Sequence, residues 1–402
     1  MKSQLLSEIR EMRIIDAHEH LQTWENHKKR FFSFFDLLVP YAQFDLWSAG
    51  MPAEMLWNSP SNNEEARKYW EIIRPLWPAV NQGAYARIAR RVLQEFYGID
   101  DLNDGTWEKA GELLTRDNTK SQYYKTLKEK CRIDCILNQI GRSSFDDPFM
   151  RGAIGIPLEY AEPGAVKNVL DRIDPERHFT LDDYTDYVCR QVREAHKEGA
   201  VLVKLGAVIM TVSPDRKAAE QDFKEIAAGK PDKRHKHIGV WISDKVLALA
   251  GELGMVAAVH TGVWGDIRNQ SPLHLFEFAE SHPETVFDIY HMGFPWAREC
   301  AFLGKNYPNV NLNLTWAPTV SPRLAAESLD IWMDLVPSSK IIGFGGDMAF
   351  LPQMVWAAQE ATEEVLAAVM TRRISRGVTS SKQASNILQS WLYDNPTRIY
   401  NL

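Results

Sequence analysis

The sequence predicts an α/β protein: eight βα repeats closing into a (β/α)8 TIM barrel, with a large helical insertion after strand 1. Three observations predict it. Short apolar, β-rich runs bounded by turn residues occur at 13–18, 131–140, 151–157, 201–208, 255–261, 286–292, 309–316 and 341–347. From the third onward they alternate with amphipathic stretches at 181–198, 243–253, 272–281, 296–306 and 322–335, and such alternation builds a parallel sheet. No GxGxxG or Walker-type glycine loop follows any of these runs, which removes the phosphate chemistry of the competing doubly wound open sheet.

Strand 1 ends in Asp16-Ala17-His18-Glu19-His20, and the next predicted strand begins only at 131. A βα unit normally needs about 30 residues, so 21–130 is read as an insertion. It is rich in Trp, Tyr, Phe and Arg, with helical patterning at 64–74 and 84–97. Loops that follow barrel strands emerge on the catalytic face, which makes this segment a candidate cap; an arm for packing or homo-oligomerisation is the alternative. The polar stretch 213–238, with its basic run from Lys230 to His237, reads as a solvated loop. Residues 352–402 read as two or three closing helices, and the whole of 1–402 as one barrel domain.

The 402 residues suffice for such a domain, and 45% hydrophobic with 25% charged residues is a globular composition. A net charge of -7 with scattered Lys and Arg offers no footprint for nucleic acid. The N-terminus lacks the unbroken apolar core of a secretory signal, and no segment is apolar enough to cross a membrane, so a cytoplasmic protein with a small-molecule partner is expected. Cys131, Cys135, Cys189 and Cys300 have neither a CxxC spacing nor the density of a disulfide scaffold, and reduced thiols outside any metal site are expected.

The candidate chemistry gathers at strand ends. Residues two apart on a strand point to one side, so His18 and His20 can present two imidazoles to one point. A barrel site collects ligands from several strands. His260 ends the fifth run and His291 the sixth, each with a glycine two residues on, and Asp347 ends the eighth directly after Gly346. An ionisable group that ends an apolar strand is costly to bury without a partner. Lys204, inside the fourth run between Val203 and Leu205, reads on its own as a side chain snorkelling to a rim. The histidines at 27, 178, 196, 235, 237, 274 and 282 lie in helices or polar loops and carry no assigned role.

This order of residues resembles the amidohydrolase superfamily over essentially the whole chain. His260-Thr261-Gly262, Trp264-Gly265-Asp266, His291-Met292-Gly293-Phe294-Pro295 and Asn309-Val310-Asn311-Leu312-Asn313 look like its amidohydrolase-2 branch. That branch includes FluG-type amidohydrolase domains, metal-dependent decarboxylases of aromatic acids and, more distantly, uronate isomerases, whose long insertion after strand 1 is also similar. The resemblance implies one or two divalent metals held by His18, His20, Lys204, His260, His291 and Asp347, with Lys204 carboxylated if it bridges two ions.

The resulting expectation is a hydrolase that cleaves an amide, ester or lactone of a small polar metabolite with an activated water. Asp347 would serve as general base, and His291 as a second catalytic group or a ligand. Zinc suits imidazole and carboxylate donors best, and manganese or iron fits the same set. Arg142, Trp264, Arg268 and Trp316 are nominated for substrate binding, with Trp296 and Arg298 on the loop after strand 6; arginine favours a carboxylate-bearing substrate. The alternatives are a non-hydrolytic enzyme, either a uronate isomerase or a decarboxylase, and a catalytically silent barrel that only binds.

Overall fold

A computed structural model of the chain describes residues 2–139, 147–263 and 265–402. Its strands are β1 (Ile14–Glu19), β2 (Ile133–Asn138), β3 (Met150–Gly155), β4 (Leu202–Gly206), β5 (Val256–His260), β6 (Phe287–Ile289), β7 (Val310–Asn313) and β8 (Ile341–Ile342). They form one sheet in strict chain order, β1 to β8, the order of the predicted (β/α)8 barrel. Every expected run holds a strand, although the eighth is far shorter than predicted. After Ile342 the backbone leaves the ladder, and the Gly343 amide donates to the carbonyl of Trp391 instead of to a strand.

The chain divides into two compact units. The first comprises Met1–Ile136, Trp316–Ala326 and Phe344–Ser385. Within it β1 is buried along its whole length, as expected of a strand covered on both faces. Backbone hydrogen bonds tie it to Arg132 on one side, from the Ile14 amide, and to the 344–348 segment on the other, through Ala17 to Phe344 and His20 to Met348. The stretch between β1 and β2 is helical, with principal helices at Asn63–Ile73, Ala84–Tyr97 and Trp107–Arg116. The second of these buries Ile88, Ala89, Val92 and Leu93 on one stripe and stops where Gly98 takes a left-handed conformation. The helix Pro352–Ser375 buries residues around most of its circumference and anchors Arg132 through Glu363.

The second unit comprises Leu137–Thr315, Glu327–Gly343 and Asn386–Leu402. Here β3 to β8 pair in parallel, with Gly155 level with Lys204 and Gly206 level with His260. Val259, Phe287 and Leu312 are fully buried, and each such side chain contributes about 1.5–3 kcal/mol on removal from water. The helix Leu181–Lys197 begins at a capping box, in which Thr180 and Asp183 each accept from the other's backbone amide.

The 213–238 loop is corrected by the structure. Arg216–Ala227 is a helix, capped by Asp215, whose side chain accepts from the amides of Lys217 and Ala218. Its buried residues Ala219, Phe223 and Ile226 fall at helical spacing, a stripe that the charged majority of the segment conceals. The following helix starts at Lys236 rather than 243. In the C-terminal segment, Pro352–Ser375, Ser381–Gln389 and Asn395–Tyr400 are helical, as expected. None of the four cysteines is in a disulfide. No helix among the described residues is long and apolar enough to cross a membrane.

Candidate metal centre

In the first unit the alternation of β1 places Asp16, His18 and His20 on one parity. The imidazoles converge: His18 Nε2 lies 3.2 Å from His20 Nε2. Asp347 meets both, its Oδ1 standing 3.0 Å from His18 Nε2 and 3.2 Å from His20 Nε2. His18 and Asp347 are buried, whereas the His20 side chain keeps 35% of its surface open. The set is therefore deep but reachable.

These separations fit a metal. Donors about 2.1 Å from a common ion stand about 3.0 Å apart in octahedral and about 3.4 Å apart in tetrahedral coordination. Two imidazole nitrogens and a carboxylate oxygen at 3.0–3.2 Å fall inside that range, and the donor types suit zinc, manganese or iron. His18, His20 and Asp347 thus form a His-His-Asp set able to hold a divalent ion.

Asp347 is held from several sides. Its backbone is left-handed (φ 59°), which a non-glycine residue adopts only when its surroundings impose it. Its amide donates to the His18 carbonyl at 2.9 Å, and its own carbonyl accepts from the Tyr41 hydroxyl at 2.6 Å. Tyr41 stacks on Tyr85 and packs beside Trp316. The neighbouring amides reach two acids of β1: Gly346 donates to Asp16 Oδ1 at 3.3 Å and Met348 to Glu19 Oε2 at 2.7 Å. Burial pushes the Asp16 carboxyl up to about 7 and that of Glu19, with Asp16 as a neighbouring acid, well above the usual range. Sequence reasoning gave neither acid a role, although both sit in the motif it singled out. The available signal was an acid on either side of His18 in a strand with no exposed face.

In the second unit His260, at the end of β5, and His291 are hydrogen-bonded, Nδ1 to Nε2, at 2.9 Å. His291 lies beyond the end of β6, in a turn where it and Met292 are both left-handed. Gly262 allows that turn to pass close by, since a Cβ there would lie 1.7 Å from the Phe294 carbonyl oxygen. Thr261 donates its hydroxyl to the Tyr290 carbonyl at 2.6 Å. Nearby on β6, Asp288 is fully buried and accepts through Oδ2 from the Tyr400 hydroxyl at 2.5 Å and from Asn313 at 2.9 Å. Burial raises its carboxyl to about 7. Lys204 lies within β4, part-buried and level with Ala258 of β5.

The nominated substrate residues separate. Arg142 and Trp264 lie outside the described residues. Arg268 is exposed, and its guanidinium turns back onto Asp266. Trp316 is buried and left-handed, packed with Tyr41 and Tyr85 in the first unit. Trp296 is part-buried, just before a helix, and Arg298 is exposed within it.

Comparison with known proteins follows this geometry. The family model described as Amidohydrolase matches residues 178–402, a span that includes Lys204, His260, His291 and Asp347 and leaves His18 and His20 before it. The chain is 30% identical over 149 residues to Protein fluG of Emericella nidulans, a match covering 36% of this chain and only 17% of that protein. Among solved structures it is similar to the uronate isomerase of Thermotoga maritima (TM-score 0.78, 13% identity, 99% of this chain and 97% of that one). It is also similar to the glucuronate isomerase of Caulobacter crescentus (TM-score 0.76, 14% identity, 100% and 93%). A putative metal-dependent hydrolase of Lactobacillus casei matches with TM-score 0.66 and 14% identity, over 99% of this chain and 97% of that one. With the match running over more than half its length, this chain belongs to the amidohydrolase family.

Proposed function

We propose that the chain is a metal-dependent hydrolase that opens an amide, ester or lactone bond in a small polar metabolite. The observation that carries this reading is the convergence of His18, His20 and Asp347 within 3.2 Å of one another at a buried point. His18, His20 and Asp347 would hold a divalent ion there, with zinc as first choice and manganese or iron as the next, which would supply Lewis acidity to the reacting bond. The family resemblance adds His260, His291 and Lys204 to the proposed ligands.

The protein's own groups then have distinct tasks. Asp347 takes a proton from the attacking water and returns it to the leaving group, a transfer worth about 10²–10⁴-fold in rate. His260 orients the His291 ring through their 2.9 Å bond, and His291 polarises the substrate carbonyl. Lys204 as a carbamate would bridge two ions; as an ammonium it would hold the substrate's carboxylate. This reading places the chain in the cytoplasm with a small-molecule partner, as a single protomer or self-associated.

The full-length likeness to two uronate isomerases favours one other reading, isomerisation of a sugar acid on the same residues. Turnover of candidate esters, amides, lactones and uronates in ¹⁸O-water and in deuterium oxide separates the two. Labelled oxygen in the product supports hydrolysis. Solvent deuterium on carbon without labelled oxygen overturns hydrolysis and supports isomerisation.

A further inference from the structure

The segment carrying Asp347 is fixed to β1 in an unusual way. Three successive amides all end on that strand: Gly346 on the Asp16 carboxylate, Asp347 on the His18 carbonyl and Met348 on the Glu19 carboxylate. The Asp16 oxygen also accepts from the His18 amide at 3.2 Å, so one acid grips the backbone of a proposed ligand and the residue before another. Asp16 and Glu19 are fully buried. Neither has a described cation as partner, and among the described residues Asp16 Oδ2 and Glu19 Oε1 have no hydrogen-bond partner.

Glycine at 346 completes the arrangement. A Cβ on Gly346 would stand 2.0 Å from Glu19 Oε1, so the Glu19 carboxyl occupies the space a side chain would need. Partners of a ligand usually fix it through its side chain. Here they fix the peptide on either side of it, and the left-handed backbone of Asp347 is the conformation that results.

We propose that Asp16 and Glu19 are positioning residues: they clamp the amides flanking Asp347 and thereby aim its carboxylate at His18 and His20, with Gly346 kept small to seat Glu19. This rests on the metal reading above, and its test therefore includes a measurement that needs no metal.

The variants are Glu19→Asp, which keeps the carboxyl group and withdraws the acceptor from Met348, Glu19→Gln, which keeps the acceptor and can donate to Asp16, and Gly346→Ala. Affinity for Zn²⁺ and Mn²⁺ is measured by competition with a chromophoric chelator. Hydrogen exchange of the 344–350 peptide and thermal melting are measured on metal-free protein. Glu19→Asp and Gly346→Ala are expected to lose about 10–100-fold in affinity, the usual cost of an outer partner, with faster exchange confined to 344–350. Glu19→Gln is expected to restore both to near the wild-type level. Wild-type affinity and exchange in Glu19→Asp would overturn the clamp, as would faster exchange spread through the chain, which marks general destabilisation. A wild-type protein that binds neither ion refutes the metal reading, and the exchange of 344–350 then decides the clamp by itself.

Discussion

The two histidine groups are held by different means. His18, His20 and Asp347 belong to an acidic setting, where Asp16 and Glu19 lie buried in the same strand and a third carboxylate faces the imidazoles. His260 and His291 are placed by the backbone: a left-handed His291, a glycine at 262 whose Cβ would collide with Phe294, and a single ring-to-ring bond. The first setting offers a cation one carboxylate, Asp347, beside two imidazole nitrogens. In the second unit the buried acid of β6, Asp288, is committed to Tyr400 and Asn313. The first group brings a carboxylate to its imidazoles, and the second is ordered by backbone conformation and one ring-to-ring bond.

The largest effect is expected from Asp347→Asn, which removes the charge while preserving size. Turnover should fall by about 10²–10⁴-fold with the melting temperature of the metal-free protein nearly unchanged. Full activity would strip Asp347 of the base role. Next, elemental analysis of purified His18→Ala and His260→Ala should show the greater loss of bound metal in His18→Ala. Equal retention in the two would erase the distinction drawn above.

Asp288→Asn tests the second group by pH. The wild-type carboxyl, pushed up to about 7 from an unfolded value of 3.8, is protonated in the folded chain where the unfolded chain has lost its proton. The folded state therefore binds more protons between about pH 4 and 7, and wild-type stability declines across that window and levels off above it. Against wild type, Asp288→Asn should gain stability from pH 4 to 7, by at most about 4 kcal/mol at pH 8. A difference independent of pH would place the ionised form in the native state at low pH.

His27 gives a smaller effect of opposite sense. It is buried against Phe32 and Tyr123, and burial lowers its pKa to about 4. The unfolded chain takes up the proton first, so stability is lost as pH falls from about 6.5 to 4. Urea melts of His27→Phe should show less acid sensitivity over that range, by up to about 3 kcal/mol. The smallest effect belongs to Arg268→Ala, whose guanidinium is 85% exposed and paired with Asp266. Stability should change by less than about 0.5 kcal/mol. A rise in KM without loss of kcat would assign Arg268 to substrate binding, and an unchanged KM would leave it a surface ion pair.

Much of this was legible in the chain, for identifiable reasons. Strand parity brought out His18 and His20, and the run 255–261 ended, as expected, at His260. His291 and Asp347 were visible as polar residues after apolar runs, but both stand beyond the last paired residue of their strands, in left-handed conformations. Nothing local demands that geometry of a His or an Asp; for Asp347 it depends on bonds to Tyr41 and β1, hundreds of residues away in sequence. Asp16 and Glu19 were passed over for a related reason, since an acid in a strand looks like solvent-facing alternation until the second face is found to be covered. In 213–238 the charge count outweighed three apolar positions, and a helix was missed.

The bond from the Tyr41 hydroxyl to the Asp347 carbonyl has a consequence for redesign. Tyr41 belongs to the long stretch between β1 and β2, the natural segment to exchange when altering substrate preference by loop grafting. A transplant that omits this phenol would remove one of the props of Asp347 along with the intended specificity elements. A graft that keeps Tyr41 together with Tyr85, on which it stacks, would vary the other helices while leaving the prop intact.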